Sequence, residues 1–245
     1  MGIIKASVLS KTIKSEGIVF KSIKYSETSV ILDIYTLEYG LMSFIVGGVR
    51  KAKSRQANIF HPINIIDFVA YRSDERLSRI KEAQFSYNYG SINMDVIKSS
   101  VAMFVIDLSR NAIKEKESNP ELYDFIRSEL ISLDELETGF ALFPHLYALK
   151  LTRFLGFEPH NNFGGDNIYF DMIEGEFIDN DVRHLNIMNG PESQHLHELL
   201  SGNAQGTMDK TSRAVLLDKL VDYYKLHLEG FKPLKCLPVL RSILS

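Results

Sequence analysis

Residues 17–48, GIVFKSIKYSETSVILDIYTLEYGLMSFIVGG, decide the fold of the first third of the chain. Short runs rich in Val, Ile, Phe and Tyr alternate here with turn residues, which is typical of β-strands. The same pattern continues downstream, where the polar turn RSDE separates two more runs. Five strands are predicted in all, at 17–23, 29–36, 41–48, 63–71 and 77–85.

Five short strands in about 70 residues indicate a small closed barrel, and the long gap after the third strand is typical of an OB-fold. A small barrel of the SH3 type is the alternative. After Tyr89 the spacing of apolar residues changes to that of helices. We therefore predict an α+β protein with an OB-fold domain at 1–88 and an all-α domain at 89–245, which carries a small irregular β insert at about 157–190.

Local signals mark several helix ends in the second part of the chain. Asn93 is the expected N-cap of the first helix, Pro120 begins the second, and Gly156 ends the third. The helices are predicted at 94–115, 120–133, 140–156, 193–202 and 209–230. Within the insert, 168–172 and 175–178 are predicted to be short strands.

Composition narrows the class of protein. The 245 residues are 45% hydrophobic and 24% charged, as in ordinary globular proteins. The single cysteine, Cys236, excludes an internal disulfide and a four-cysteine zinc site. The N-terminus lacks the apolar core of a signal peptide, and no stretch is long and apolar enough to span a membrane. We expect a cytoplasmic protein that makes no contact with membranes.

Charge is divided unevenly along the chain. Residues 1–80 contain 12 Lys and Arg against 7 Asp and Glu, whereas 81–245 contain 16 against 24. The first third therefore carries a net charge of +5, although the whole chain carries -3. A basic barrel indicates contact with a polyanion, and the acidic remainder is better suited to protein partners.

The positive charge is concentrated in the loop GGVRKAKSRQA at 47–57, which follows the third strand. Its glycines allow the backbone to approach a ligand, and its cations and serine hydroxyl can contact phosphates. Lys21 and Lys24 lie near the first turn, where Tyr25 can stack on a base. The candidate DNA-binding residues are Lys21, Lys24, Tyr25, Arg50, Lys51, Lys53, Ser54 and Arg55. A solvated basic loop without a ligand is the alternative.

Catalytic patterns are weak. His195, His197 and Glu198 form the one histidine group, but positions i and i+2 of a helix point in different directions and cannot share a metal. The acidic group of Asp171, Glu174 and Glu176 is best explained as a solvated hairpin. We expect no enzyme activity, no cofactor and no metal, although a metal-dependent hydrolase and a protein-interaction scaffold without DNA binding remain alternatives.

The order of several segments resembles the RecO family of bacterial recombination mediators. Its N-terminal motifs are matched by Gly17–Phe20, by Tyr25 with Glu27 and Thr28, by Thr36 with Gly40, and by Gly48 with Arg50, Lys51 and Ser54. The segment RLSRIKEAQ at 76–84 resembles the last barrel strand of the family. In the helical part, LTRFLGFEP at 151–159 and YYKLHLEGFKPLKCLPVL at 223–240 are also similar.

The resemblance implies a non-enzymatic protein that binds single- and double-stranded DNA and anneals complementary strands. It also implies two partners. The first is RecR, which helps to load the RecA recombinase, and the second is the acidic C-terminal tail of single-strand-binding protein. Many relatives carry a four-cysteine zinc element after LGFxP, but the corresponding segment here is free of cysteine, so zinc is not expected. Candidate residues for docking the acidic tail are Lys150, Arg153, Arg213, Lys219 and Lys225.

Overall fold

The computed structural model describes residues 11–49, 58–73, 77–114, 116–179, 184–204 and 208–244. The chain forms two compact units. One consists of Met1–Asn88 and Lys114–Arg127, and the other of Tyr89–Ile113 and Ser128–Ser245. Within the described residues, no helix combines the length and the apolar character that crossing a bilayer requires.

Five strands form a closed barrel in the order β1-β2-β3-β5-β4. They are β1 (Lys11–Lys24), β2 (Val30–Thr36), β3 (Gly40–Val46), β4 (Ile65–Arg72) and β5 (Ser78–Phe85). The pair β3 and β5 is parallel, and every other pair is antiparallel. This arrangement is that of an OB-fold, so the predicted fold class is confirmed.

The first strand is longer than predicted, because it begins at Lys11 rather than at residue 17. Its first half pairs with β4 and its second half with β2, which closes the barrel. The early part contains few apolar residues, but Ile13 alternates with exposed neighbours and packs into the barrel core. Phe44 and Phe68 meet edge-on at the centre of that core, with ring centroids 5.0 Å apart.

The segment at 114–127, which the sequence placed in the helical domain, belongs to the unit of the barrel. The Ser118 hydroxyl donates to the Leu37 carbonyl oxygen at 2.8 Å. Further along, the Tyr123 hydroxyl and the Arg127 Nε–H group each donate to Oε1 of Glu16 at 2.9 Å. A carboxylate on β1 therefore holds the first turns of the second helix against the barrel.

The helices are α1 (Val96–Ala112), α2 (Pro120–Glu135), α3 (Phe143–Leu155), α4 (Gly190–Leu200), α5 (Lys210–His227) and α6 (Leu237–Leu244). A 3₁₀ turn at Phe140–Leu142 precedes α3. The prediction that Asn93 caps α1 is wrong, because Asp95 is the N-cap and its carboxylate accepts from two backbone N–H groups of the first turn. The predicted start at Pro120 is confirmed, as is the C-terminal cap at Gly156, which has φ of 82°.

A three-stranded sheet, in the order β7-β6-β8, forms the centre of the insert. Its strands are β6 (Tyr169–Asp171), β7 (Glu176–Ile178) and β8 (Ile187–Met188). The Asn162 side chain pairs with the backbone of Phe177, donating to its carbonyl oxygen at 2.9 Å and accepting from its N–H group at 2.8 Å. Aromatic rings pack around this pair, among them Phe163, Phe170 and Tyr223. Hydrogen bonds and aromatic packing thus hold the cysteine-free insert.

Candidate nucleic-acid interface

The basic loop leaves the barrel at the end of β3. Arg50, Lys51, Lys53, Ser54 and Arg55 lie outside the described residues, but both flanks of the loop are described. On the first flank, Gly48 has φ of 80°, a conformation that favours glycine. The Val49 side chain that follows is buried in the barrel core. The point where the chain enters the loop is therefore anchored in the barrel.

The second flank is also tied to the barrel. Ile63 has φ of 82°, which is an unfavourable conformation for a β-branched residue. Its N–H group donates to the Val19 carbonyl oxygen at 3.0 Å. The Asn64 amide donates to the carbonyl oxygens of Asn58 at 2.7 Å and Ile59 at 3.1 Å. Strain of this kind persists only where the surrounding structure holds it, and it is common at binding sites.

The turn between β1 and β2 lies beside the departure point of the loop. Lys24 pairs with Val30, and Val30 pairs with Val46, the last residue of β3. Tyr25 follows Lys24 and has 62% of its surface exposed, so its ring is accessible for stacking. Lys24 and Tyr25 therefore belong to the same end of the barrel as the two glycines.

Lys21 lies in a different environment. It pairs in register with Asp33 on β2, and its Nζ atom is 3.9 Å from the Asp33 carboxylate. The Asp33 carboxylate also accepts a hydrogen bond from the Ser43 hydroxyl at 2.8 Å. Asp33 therefore offsets part of the positive charge of Lys21.

Arg79 is a further cation at this end that sequence reasoning missed. It pairs with Ile45 across the parallel β3–β5 contact. A Cβ atom built on Gly47 would lie 3.5 Å from an Arg79 guanidinium nitrogen, so the exposed Arg79 head group lies beside the loop. Alternation along β5 indicates that Arg79 faces solvent, but the parallel pairing that brings it to Gly47 has no local signal.

Two grooves elsewhere on the barrel unit have different electrostatics. A groove of about 690 Å³ across β1, β4 and β5 is lined by the carboxylates of Glu16, Glu38, Asp67 and Glu82, with Lys14 as its cation. A second groove, of about 920 Å³, contains equal numbers of acidic and basic side chains. Neither groove has the net positive charge that attracts a phosphate backbone.

The structure does not bring the five predicted tail-docking residues of the helical unit together at one site. Lys150 pairs with Glu129 at 2.7 Å, and Lys225 pairs with Asp222 at 2.8 Å. Lys219 donates weakly to the Ile187 carbonyl oxygen at 3.4 Å, and Arg153 is exposed in the last turn of α3. Arg213 is different, because it lines a cavity.

This cavity, which we call the α5–α6 cavity, has a volume of about 420 Å³. Its walls are mainly apolar, but its lining also includes three basic side chains. The lining consists of Ala141, His145, Lys210, Thr211, Arg213, Ala214, Leu217, Leu240 and Arg241. An apolar cavity with several basic side chains can hold an apolar group that is attached to an acidic segment.

His145 is the buried polar member of this lining, with 2% of its surface exposed. Its Nε2–H group donates to the Arg213 carbonyl oxygen at 2.7 Å, which leaves Nδ1 as the unprotonated nitrogen. Burial lowers the pKa of His145 to about 4, so the ring is neutral at pH 7. The charge of the cavity therefore comes from Lys210, Arg213 and Arg241.

The other residue groups considered for chemistry have structural contacts. The His197 ring stacks on Phe163 with centroids 4.5 Å apart, and its Nδ1–H group donates to the Asn161 side-chain oxygen at 2.8 Å. Asp171 is buried rather than solvated, and its carboxylate accepts from the backbone N–H groups of Ile173 and Glu174. Across the described parts of the chain, no group of three or more His, Cys, Asp or Glu residues is arranged to hold a metal ion.

Comparison with known proteins identifies the family. Residues 10–89 match the family model described as Recombination protein O N terminal, and residues 94–165 match Recombination protein O C terminal. The chain is 34% identical over 238 residues to the DNA repair protein RecO of Phocaeicola vulgatus, covering 95% of this chain and 99% of the relative.

Two further relatives support the assignment. The DNA repair protein RecO of Bacteroides fragilis is 34% identical over 239 residues, covering 94% of this chain and 98% of its own length. The DNA repair protein RecO of Flavobacterium johnsoniae is 32% identical over 241 residues, and the match covers 95% of this chain and 99% of the relative. The chain therefore belongs to the RecO family of DNA repair and recombination proteins.

Proposed function

We propose that this protein acts in DNA repair and recombination by binding single- and double-stranded DNA at the loop end of its barrel and annealing complementary strands. The observation that carries the proposal is the meeting of the β1–β2 turn, Arg79 and both glycines where the basic loop leaves β3. A DNA-bound protein of this kind would be found at the nucleoid in the cytoplasm.

The chemistry of this end suits a phosphate backbone. Lys24 and Arg79 add positive charge at the point where the basic loop leaves β3, and contacts of cations with phosphates do not depend on a particular base. Tyr25 offers an exposed ring on which any base can stack. Annealing requires two strands to be held without sequence preference, and salt-dependent backbone contacts meet that requirement. The acidic groove on β1, β4 and β5 would repel a DNA strand.

We further propose that the helical unit binds protein partners, with RecR and the acidic tail of single-strand-binding protein as the expected ones. The α5–α6 cavity supports docking of the tail, because apolar walls can bury the apolar end of a peptide and the adjacent cations can bind its carboxylates. Together with RecR, such a protein would help to load RecA onto coated strands. Of the five docking residues predicted from the sequence, Arg213 belongs to this cavity.

Salt dependence of oligonucleotide binding tests the DNA proposal. If the four loop cations, Lys24 and Arg79 each meet a phosphate, a plot of log K against log salt concentration should have a slope of roughly -4 for single strands. Lys51→Ala, Lys24→Ala and Arg79→Ala should each reduce the steepness by about 0.7. Lys14→Ala is the matched control, because Lys14 lies among the carboxylates of the acidic groove, and its slope should equal that of the wild type.

Two outcomes would contradict the proposal. Binding that is insensitive to salt and to the three substitutions would remove the loop end as the DNA site. The absence of any gel shift with oligonucleotides at low salt would favour a protein-interaction scaffold instead.

A further inference from the structure

Arg241 differs from the other two cations of the α5–α6 cavity in its contacts. Its Nη2 atom donates to the carboxylate of Asp218 on α5, and both side chains are less than half exposed. Arg213 donates through Nη1 to the Met208 carbonyl oxygen at 2.8 Å, and among the described residues it forms no ion pair with a carboxylate. Within the described part of the chain, Arg241 is thus the cation of this cavity that already has a carboxylate partner.

This ion pair reduces the electrostatic attraction between Arg241 and an acidic ligand. An acidic peptide gains the full attraction of Arg241 only if one of its carboxylates replaces Asp218 at the guanidinium group. The displaced Asp218 would then stand near the negative charge of the bound peptide and repel it. A neutral peptide with the same apolar end would fill the cavity without breaking the ion pair.

We propose that Asp218 is a specificity-determining residue of the α5–α6 cavity, acting as a built-in competitor for Arg241 that weakens the binding of acidic peptides. This inference rests on the proposed docking of an acidic peptide in the cavity. Asp218 limits the affinity of acidic ligands without affecting neutral ones, and so keeps their binding easily reversible.

The test uses the full chain, fluorescence anisotropy and two labelled peptides. One peptide has three aspartates followed by two apolar residues and a free C-terminal carboxylate, and the other has asparagine in place of each aspartate and an amidated C-terminus, so that it contains no carboxylate. Asp218→Asn should tighten the binding of the acidic peptide about two- to fivefold, the range expected for one exposed ion pair. The affinity for the neutral peptide should stay the same.

Asp222→Asn is the matched control. It removes the same charge from the same helix, but Asp222 pairs with Lys225, which is not part of the cavity lining. In an Arg241→Ala background the effect of Asp218→Asn should shrink, because the competition requires the guanidinium group. Equal effects of Asp218→Asn and Asp222→Asn, or no effect of either, would overturn the inference.

The failure of this inference can be separated from the failure of the proposed docking site. Ala214→Glu places a carboxylate in the wall of the cavity and should weaken the acidic peptide strongly. If the wild type binds the peptide and Ala214→Glu weakens it while Asp218→Asn changes nothing, the competitor role alone is wrong. If the wild type binds neither peptide, or if Ala214→Glu has no effect, the docking site and the inference are both wrong.

Discussion

Gly40 offers a quantitative test of how residues 114–127 pack on the barrel. It begins β3 with φ of 65°, and the Thr36 hydroxyl donates to its carbonyl oxygen at 2.9 Å. A Cβ atom built on Gly40 would lie 2.3 Å from the Glu117 carbonyl oxygen and 2.7 Å from the Glu117 carbonyl carbon. Both neighbours are backbone atoms, so Gly40→Ala requires the segment around Glu117 to shift.

The cost of Gly40→Ala has two parts. Placing an L-residue in the left-handed region costs roughly 1–2 kcal/mol. Forcing a methyl group into a packed contact adds about 1–3 kcal/mol. The free energy of unfolding of the barrel unit should therefore fall by about 2–5 kcal/mol. Gly139→Ala is the control, because Gly139 has φ of 88° and a Cβ atom there would meet nothing within 4 Å. Gly139→Ala should lower the free energy of unfolding by the backbone cost alone, roughly 1–2 kcal/mol.

Urea unfolding followed by circular dichroism measures both variants, and hydrogen exchange locates the effect. Gly40→Ala should accelerate amide exchange in the β2–β3 hairpin and around Ser118 and Tyr123. Gly139→Ala should leave exchange at those amides unchanged. If Gly40→Ala costs no more than Gly139→Ala, the close approach of Glu117 to the hairpin is wrong, and so is the assignment of 114–127 to the barrel unit.

Two further predictions concern the helical unit. The pKa of His145 is about 4 in the folded state against an ordinary value of 6.5, so its contribution to stability is complete above pH 6.5 and is lost as the pH falls towards 4. This loss lowers the free energy of unfolding by about 3 kcal/mol. Urea unfolding at pH 7 and pH 4.5 should show the loss in the wild type and not in His145→Gln. A variant that loses as much stability in acid as the wild type would contradict this role of His145. Asn162→Ala should cost about 2–4 kcal/mol and accelerate amide exchange in the insert, because it leaves the backbone of Phe177 without two hydrogen bonds. Asn161→Ala, at an exposed neighbour, should have little effect, and equal costs for both would contradict the bridging role.

Local sequence patterns predicted the structural features that depend on residues close together in the chain. Alternating apolar residues gave the five strands, and the signals at Pro120 and Gly156 gave helix ends. The pairing of Thr36 with Gly40 also has a local explanation, since the Thr36 hydroxyl accepts from the Tyr39 N–H group and donates to the Gly40 carbonyl oxygen. The sequence does not distinguish Asn93 from Asp95 as the N-cap of α1, because both residue types are good caps and they lie two positions apart.

Features that depend on distant residues had no such signal. Arg79 reaches Gly47 only through the parallel pairing of β3 with β5. The packing of α2 on the barrel depends on Glu16, which lies more than 100 residues before Tyr123 and Arg127. In the helical unit, a count of cations could not show that Lys150 has Glu129 as a partner on another helix.

Strand annealing by the full chain tests the central claim most directly. Complementary oligonucleotides are mixed with the wild type and with a variant in which Arg50, Lys51, Lys53 and Arg55 are all changed to Ala, with and without single-strand-binding protein. The wild type should accelerate annealing, and the variant should lose that acceleration while its circular dichroism and unfolding midpoint stay unchanged. Annealing by the folded variant at the wild-type rate would contradict the assignment of DNA binding to the loop end of the barrel.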